Sequence, residues 1–172
     1  MITILGIDPG NVESAYTLID ARTYKPRTFG KVPNDDMRCI LADTRADLTV
    51  IEMVRSYGMP VGADVFDTCV WIGRFLEVAG TGVNLAYRGD VKVHHCHSAK
   101  AKDPNVIQAL VDRFAPGQPN KGKGTKNAPG WFHGFAADVW QAYALAVYAA
   151  DVADESWQWR PMRPTYVTGG AV

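Results

Sequence analysis

The pattern of apolar and polar positions predicts alternating strands and helices along most of the chain. Stretches rich in β-branched residues, bounded by Gly, Pro or Asp, predict strands over residues 2–8, 14–20, 27–32, 48–54 and 83–87. Apolar residues three or four positions apart predict helices over residues 34–45, 64–79, 89–97, 103–114 and 134–153. This order is typical of a single α/β domain with helices flanking a five-stranded mixed sheet.

The domain is expected to cover residues 1–156, followed by an irregular tail over residues 157–172 that contains several Pro and Gly residues. Residues 115–130 are rich in Gly, Pro and Lys and predict a mobile loop. No apolar run is long enough to span a bilayer, and the amino terminus lacks the positive region of a signal peptide. We therefore expect a cytoplasmic protein.

Predicted helix 64–79 carries apolar residues on more than one side. The stripe predicted to face the core consists of Phe66, Cys69, Val70, Gly73 and Leu76. The apolar residues outside that stripe are Val65, Trp71, Ile72 and Phe75. They make this helix the best candidate for a dimer interface, and burial of the same residues in the core of one chain is the alternative.

Three carboxylates stand among apolar neighbours: Asp8 ends an apolar strand, Glu52 lies inside another, and Asp138 lies near the start of an apolar helix. A buried carboxylate costs several kcal/mol unless it is paired or binds a metal. Ile4, Gly6 and Asp8 share one strand face, as do Leu48, Val50 and Glu52. On the helix, the predicted stripe that packs on the sheet is Asp138, Ala142, Leu145, Ala149 and Val152. The three carboxylates can therefore meet at one edge of the sheet.

Clustered carboxylates repel one another unless cations hold them together. Oxygen ligands without His or Cys favour Mg²⁺ or Mn²⁺, and two such ions can promote displacement at a phosphodiester. The alternative gives each carboxylate a separate structural role: Asp8 caps a turn, Glu52 pairs with an arginine and Asp138 caps a helix.

The formal net charge is zero, from 18 basic and 18 acidic side chains, which does not by itself favour a nucleic-acid partner. The charges are segregated, however. Residues 1–80 contain 8 basic and 11 acidic side chains. Residues 81–126 contain 8 basic and 3 acidic side chains, and residues 127–172 contain 2 basic and 4 acidic ones. The middle segment, with a net charge of +5, is a candidate phosphate-binding surface, and a solvated basic face is the alternative.

The carboxylates occur in short motifs with a distinctive order. GIDPG contains Asp8, VIE contains Glu52, and ADVWQAYALAVYA contains Asp138; between the last two lie DVKVHH, with Lys92, and AKDPNV, with Lys102. In this order the motifs resemble those of the RuvC family of Holliday junction resolvases, in a form common in phages. The resemblance covers most of the chain. It implies a ribonuclease-H-like fold, a homodimer, divalent metal, and paired nicks in four-way DNA, with the two lysines contacting DNA.

The chain departs from the family pattern in two places. Gln141 stands where the family has a second carboxylate on the last helix, and it offers a weaker ligand for a metal or a metal-bound water. His133 could compensate as a general acid or base, although a solvated or structural histidine is the alternative. In the loop after Glu52, Tyr57 is the nearest candidate for the family's junction-wedging aromatic, and a packing role is the alternative.

The other basic candidates for DNA contact are Arg88, Lys100, Lys121, Lys123 and Lys126. The last three stand in the Gly-rich loop, where they could follow a phosphate backbone on binding, or could belong to an ordinary surface loop.

Taken together, the residues and the resemblance predict a dimeric, structure-selective DNA endonuclease. Asp8, Glu52 and Asp138 would hold Mg²⁺ or Mn²⁺, two ions to a site. By resemblance, hydrolysis would leave a 5′-phosphate and a 3′-hydroxyl. The alternatives are another nuclease on the same fold, such as a ribonuclease H or a flap nuclease, and a junction-binding protein without catalysis. GIDPG also occurs in actin-like sugar kinases, but 172 residues are too few for that two-lobed fold.

Overall fold

The computed structural model describes residues 2–56, 58, 60–80 and 82–153. Its strands are β1 (Thr3–Asp8), β2 (Glu13–Asp20), β3 (Pro26–Pro33), β4 (Leu48–Met53) and β5 (Val83–Tyr87). They form one sheet in the order β3-β2-β1-β4-β5. β1, β2 and β3 pair antiparallel, whereas β4 pairs parallel with both β1 and β5. The predicted five-stranded mixed sheet is confirmed.

Helices cover both faces of this sheet. They are α1 (Asn34–Asp43), α2 (Ala63–Ala79), α3 (Arg88–Cys96), α4 (Asp103–Phe114) and α5 (Val139–Val152). α5 packs on β1 and β2, with α3 and α4 beside it. α1 and α2 pack against each other on the opposite face, over a second apolar cluster. None of these helices combines the length and apolarity that a bilayer crossing requires within the described part of the chain.

α5 approaches the sheet closely because small residues face each other at the contact. A Cβ atom added to Gly6 on β1 would lie 2.4 Å from the carbonyl oxygen of Ala142 and 3.0 Å from the Cβ of Ala146. Every residue of α5 from Val139 to Ala150 is buried. This packing brings the amino-terminal end of α5 close to the strand ends.

α5 begins later than predicted. Helix was expected from residue 134, but the structure has turns up to residue 138, so Asp138 is the N-cap residue and not a residue of the helix interior. Gly134 (φ 84°) and Ala137 (φ 32°) have positive φ, which no α-helical residue adopts. Phe132 and Phe135 are nevertheless buried in these turns, which accounts for the apolar pattern. The predicted stripe also ends early, since Val152 is 42% exposed.

The prediction for the faces of α2 was wrong. Phe66 and Val70, assigned to the core, are 62% and 54% exposed, whereas Ile72 and Phe75, assigned to the surface, are fully buried. The helix is apolar on several sides, so its sequence pattern alone did not identify the side that meets the sheet. The alternative of core burial for Ile72 and Phe75 is the one observed.

Backbone hydrogen bonds organise the Gly- and Lys-rich segment over residues 115–130, which was predicted to be a mobile loop. A short bridge pairs Gly124 with Pro129, and the Phe132 amide donates to the carbonyl of Gly122 at 3.0 Å. The tail over residues 157–172 lies outside the described residues.

Candidate active site

A row of side chains crosses the sheet where β1 and β4 end. The register pairs Lys31 with Ala15, Ala15 with Asp8, and Glu52 with Ala86. β1 and β4 run parallel and in register, which places Asp8 and Glu52 at the ends of adjacent strands. Residues paired across a sheet point to the same face, so the row reads Lys31, Ala15, Asp8, Glu52, Ala86 on the face that α5 covers. The predicted parity of Asp8 and Glu52 is confirmed.

Asp138 reaches the same place from the start of α5. A groove beside the row is lined by Asp8, Glu13, Lys31 and Asp138 together with the turn after β1. A second groove on the other side of Asp8 is lined by residues that include Glu52, Asp64 and Arg88. Asp8 therefore stands between two halves of one cleft. The structure brings the three predicted carboxylates together there.

A closed set of buried hydrogen bonds fixes the turn that follows Asp8. The Ser14 hydroxyl donates to the side-chain oxygen of Asn34 at 2.6 Å, and the Asn34 amide donates to the carbonyl of Gly10 at 3.0 Å. The Gly10 amide in turn donates to the Ser14 hydroxyl at 3.3 Å. This network holds the floor of the cleft against the start of α1.

Two basic side chains neutralise part of the acidic cleft. Arg88 donates to Glu52 at 3.1 Å and to Asp103 at 2.9 Å, so it bridges the end of β4 to the start of α4. On the other side, the Nζ atom of Lys31 lies 2.8 Å from an Oδ atom of Asp138. Asp8, between these pairs, has no ion pair with any of the described residues.

This uneven pairing changes the acidity of the carboxylates. Burial, followed by the nearby charges of Glu52 and Asp138, raises the pKa of Asp8 to about 8, against the opposing effect of Arg88. Burial also raises the pKa of Glu52, although the ion pair with Arg88 works in the opposite direction. The charged form of Asp8 is therefore disfavoured in the metal-free cleft, and a bound cation would stabilise it.

The donor chemistry fits a hard divalent cation. The three carboxylates supply oxygen ligands only, as Mg²⁺ and Mn²⁺ prefer. In the described residues, no group of three or more His, Cys, Asp or Glu side chains is already arranged to hold a metal ion. Glu52 is paired with Arg88 instead, and Asp138 with Lys31. Gln141, one turn along α5 from Asp138, is only 8% exposed, and its side-chain amide has no hydrogen-bond partner among the described residues. An unpartnered buried amide beside the carboxylates is consistent with a bound ligand.

The predicted DNA-binding residues fall into two groups. Arg88 and Lys92 lie beside the cleft, where both contact Asp103. Lys100 and Lys102 follow on the exposed connection into α4. The members of the second group, all on the loop that precedes α5, are Lys121, Lys123 and Lys126. Arg88 differs from the prediction in that its guanidinium is already held by two carboxylates.

His133 does not join the cleft in the described part of the chain. The Nδ1 atom of the exposed His133 lies 3.2 Å from the carbonyl oxygen of Lys123, so its ring contacts the Gly-rich loop. His133 is not among the residues that line either groove within the described part of the chain. Tyr57 lies outside the described residues.

Two residues at the site, Lys31 and Asp103, were not predicted from the sequence. Lys31 belongs to the row only through the register of β3 on β2, and Asp103 meets Arg88 only because α4 starts beside β5. The three strands predicted over residues 2–8, 14–20 and 27–32 were the available signal for Lys31. No comparable local signal marks Asp103.

Comparison with solved structures finds this fold in a known protein. A structure of Thermus thermophilus RuvC matches with a TM-score of 0.59 and 16% sequence identity, covering 87% of this chain and 93% of that chain. T. thermophilus RuvC in complex with Holliday junction substrate matches with the same TM-score and coverage at 15% identity. No protein-family model and no curated protein sequence matches the chain. The five-stranded sheet and its flanking helices are thus a RuvC-like, ribonuclease-H-like fold, as the sequence motifs indicated.

Proposed function

We propose that the protein is a divalent-metal-dependent endonuclease that cleaves branched DNA, with four-way junctions as its preferred substrate. The observation that carries the proposal is the convergence of Asp8, Glu52 and Asp138 on one cleft at the strand ends. The fold shared with T. thermophilus RuvC, which has been solved with a Holliday junction substrate, supports the choice of DNA.

Asp8 and Glu52, joined by Asp138, would hold Mg²⁺ or Mn²⁺. When bound, the metal supplies an activated water and stabilises the charge that develops on the phosphate. Arg88 orients the Glu52 carboxylate and favours its ionised form. Gln141 offers a neutral amide oxygen where the resemblance implies a carboxylate, so a second ion would have weaker ligands than the first.

Hydrolysis forms one bond and breaks another. The oxygen of water bonds to phosphorus, and the bond from phosphorus to the 3′ oxygen breaks with its electron pair. A proton released from water goes to that 3′ oxygen, which leaves a 5′-phosphate and a 3′-hydroxyl. The basic residues beside the carboxylates would orient the scissile phosphate for in-line attack, and such positioning is a major source of rate acceleration in phosphoryl transfer.

A run of basic residues begins beside the cleft. Lys92, Lys100 and Lys102 follow one another from α3 to the start of α4, beginning next to Asp103 at the cleft. Contacts of this kind hold the phosphate backbone and carry no base information, so recognition would depend on the shape of the branched DNA.

A second copy of the chain would meet the exposed face of α2. Phe66 and Val70 lie one turn apart on this face and are 62% and 54% exposed, and Gly73 continues the stripe. Adjacent exposed apolar side chains of this size on a soluble domain favour an interface. A twofold dimer would present two clefts to the two equivalent strands of a four-way junction, which is the reason to choose a second copy as the partner.

Charge introduced on this face should dissociate the dimer. For Phe66→Glu combined with Val70→Glu, we expect monomers in analytical ultracentrifugation where the wild type is dimeric. Cuts in the two strands of a junction should then be uncoupled. Thr28→Glu, which adds a charge at an exposed position of β3, is the control and should remain dimeric. A dimeric double variant would show that α2 is not the interface.

A panel of DNA substrates tests the proposed function. With Mg²⁺ or Mn²⁺, we expect paired nicks in a labelled four-way junction, and little or no cutting of a linear duplex of the same sequence or in EDTA. Equal cutting of junction, flap and linear duplex would identify a less selective nuclease on this fold. Preference for an RNA–DNA hybrid would identify a ribonuclease H. Tight junction binding with no cutting in either metal would show a binding protein whose catalysis is lost.

A further inference from the structure

Lys31 occupies the position at which a cation would sit beside Asp138. It is two strands from Asp8 in the same row, on the same face of the sheet. The intervening residue is Ala15, whose methyl group leaves the space between Lys31 and Asp8 open to the groove that both residues line. The ammonium lies 2.8 Å from Asp138 and 3.8 Å from Glu13, and the side chain is 41% exposed.

The charged residues on one side of Asp8 differ from those on the other side, and this difference affects which side can bind a metal ion. Glu52 stands on one side with Arg88, whose guanidinium is also bound to Asp103. On the other side, Asp138 has Lys31, and Gln141 supplies no further negative charge. Lys31 also lies near Glu13, so a second divalent ion on that side would meet carboxylates that a lysine already partly neutralises.

We propose that the Lys31 ammonium takes the place of a second metal ion at the Asp138 side of the cleft, where it contacts a non-bridging oxygen of the scissile phosphate. This inference rests on the proposed nuclease function. One divalent ion, held chiefly by Asp8 and Glu52, then serves each chain. Lys31 stabilises negative charge on the phosphate as water adds to phosphorus and the bond to the 3′ oxygen breaks.

Lys31 transfers no proton during the proposed hydrolysis. A lysine with its ordinary pKa of about 10.4 is protonated at neutral pH, so the ammonium stays charged through the reaction. Lysine and arginine clamps on a transferring phosphoryl group are a common device, and removing one preorganised donor to a developing negative charge typically lowers the rate by about 100- to 1,000-fold.

The test compares Mn²⁺ binding with junction cleavage in the same four proteins: wild type, Lys31→Met, Lys31→Arg and Lys25→Met. Methionine keeps the aliphatic stem but removes the ammonium. Lys25 is an exposed lysine just before β3, at the end opposite Lys31, so Lys25→Met removes the same charge away from Asp138. Titration calorimetry with Mn²⁺ gives affinity and stoichiometry without DNA, and single-turnover cleavage at saturating Mn²⁺ and junction gives the chemical rate.

We expect one Mn²⁺ per wild-type chain. Lys31→Met should bind Mn²⁺ more tightly, because a repelling charge has been removed, and should nevertheless cleave about 100-fold more slowly. Lys31→Arg should recover most of the rate, and Lys25→Met should match the wild type in both measurements. A lysine that merely supports the fold would not strengthen metal binding when removed.

Two ions bound per wild-type chain would overturn the inference. It would also be overturned if Lys31→Met cleaved at the wild-type rate once metal and junction were saturating. A wild type that cuts no DNA in any metal would be a failure of the proposed function itself, and it is distinguishable because that protein retains Lys31.

Discussion

Asp8→Asn should remove junction cleavage while making the metal-free protein more stable. The cleavage rate should fall on the order of 1,000-fold or more, because the variant loses the central carboxylate ligand of the metal. The free energy of unfolding in EDTA at about pH 9 should rise, on the order of a few kcal/mol, because a crowded buried charge becomes a neutral amide. A substitution that lowers activity and raises stability is typical of a binding site whose charges are unfavourable until a ligand binds.

The sign of the pH dependence follows from the raised pKa of Asp8. In the unfolded chain an aspartate loses its proton near its ordinary pKa of about 3.9, whereas folded Asp8 keeps its proton up to about pH 8. The folded state binds the extra proton between these values. The stability of the metal-free wild type should therefore fall as pH rises from about 4 to about 8, and the difference from Asp8→Asn should be greatest above that range.

Urea unfolding of wild type and Asp8→Asn in EDTA, across this pH range, measures the effect. Asp47→Asn is a control in which the change in stability should have the opposite sign. Hydrogen bonds from the Thr3 backbone and side chain lower the pKa of Asp47, so its charge stabilises the fold and the asparagine variant should lose stability. An Asp8→Asn protein that is less stable than the wild type at about pH 9 would contradict the description of the cleft.

Asp151→Ala should destabilise the fold without acting on the cleft. Asp151, near the end of α5, accepts two hydrogen bonds from Arg113, at 2.6 Å and 2.9 Å. It also meets the Nε2 atom of His94 at 2.7 Å and accepts from the Tyr24 hydroxyl at 2.9 Å. Removing a carboxylate that three side chains share leaves them unpaired, and we expect a loss of about 2–4 kcal/mol.

The hydrogen bonds that Asp151 accepts also predict that the fold loses stability in acid. Burial alone would raise the pKa of Asp151, but the hydrogen bonds from Arg113 and His94 outweigh it and hold the pKa well below the ordinary value. Its contribution to stability is complete above about pH 4 and is lost as pH falls towards the lowered pKa. Chemical denaturation of Asp151→Ala at neutral pH measures the loss, with the exposed Asp112→Ala as control. A loss below about 1 kcal/mol would show that the network is not stabilising.

The sequence was sufficient for the sheet and for two of the three carboxylates because both follow from strand parity. Alternation places Asp8 and Glu52 on the α5 face whenever β1 and β4 are neighbours, and the observed register pairs Gly6 with Val50 as parity requires. Asp138 was located correctly next to the sheet, but its place at the N-cap of α5 depends on the positive φ of Gly134 and Ala137. A backbone conformation of that kind leaves little trace in an apolar pattern.

The partners of the carboxylates could not be predicted because they depend on long-range register. Shifting β3 by one residue on β2 would turn Lys31 to the other face of the sheet, and this pair of strands does contain an irregularity between Leu18 and Ile19. The exposed face of α2 was predicted wrongly for a related reason. Phe66 and Val70 are as apolar as Ile72 and Phe75, and only packing against the sheet distinguishes the two sides.

The most direct test of the central claim measures Mn²⁺ binding and four-way junction cleavage on the same preparations of wild type and Asp8→Asn. We expect wild type to bind Mn²⁺ and to make paired nicks that EDTA prevents, and we expect Asp8→Asn, although folded and at least as stable, to do neither. Cleavage by Asp8→Asn at the wild-type rate, or metal-independent cleavage by the wild type, would contradict a catalytic carboxylate cleft at the ends of β1 and β4.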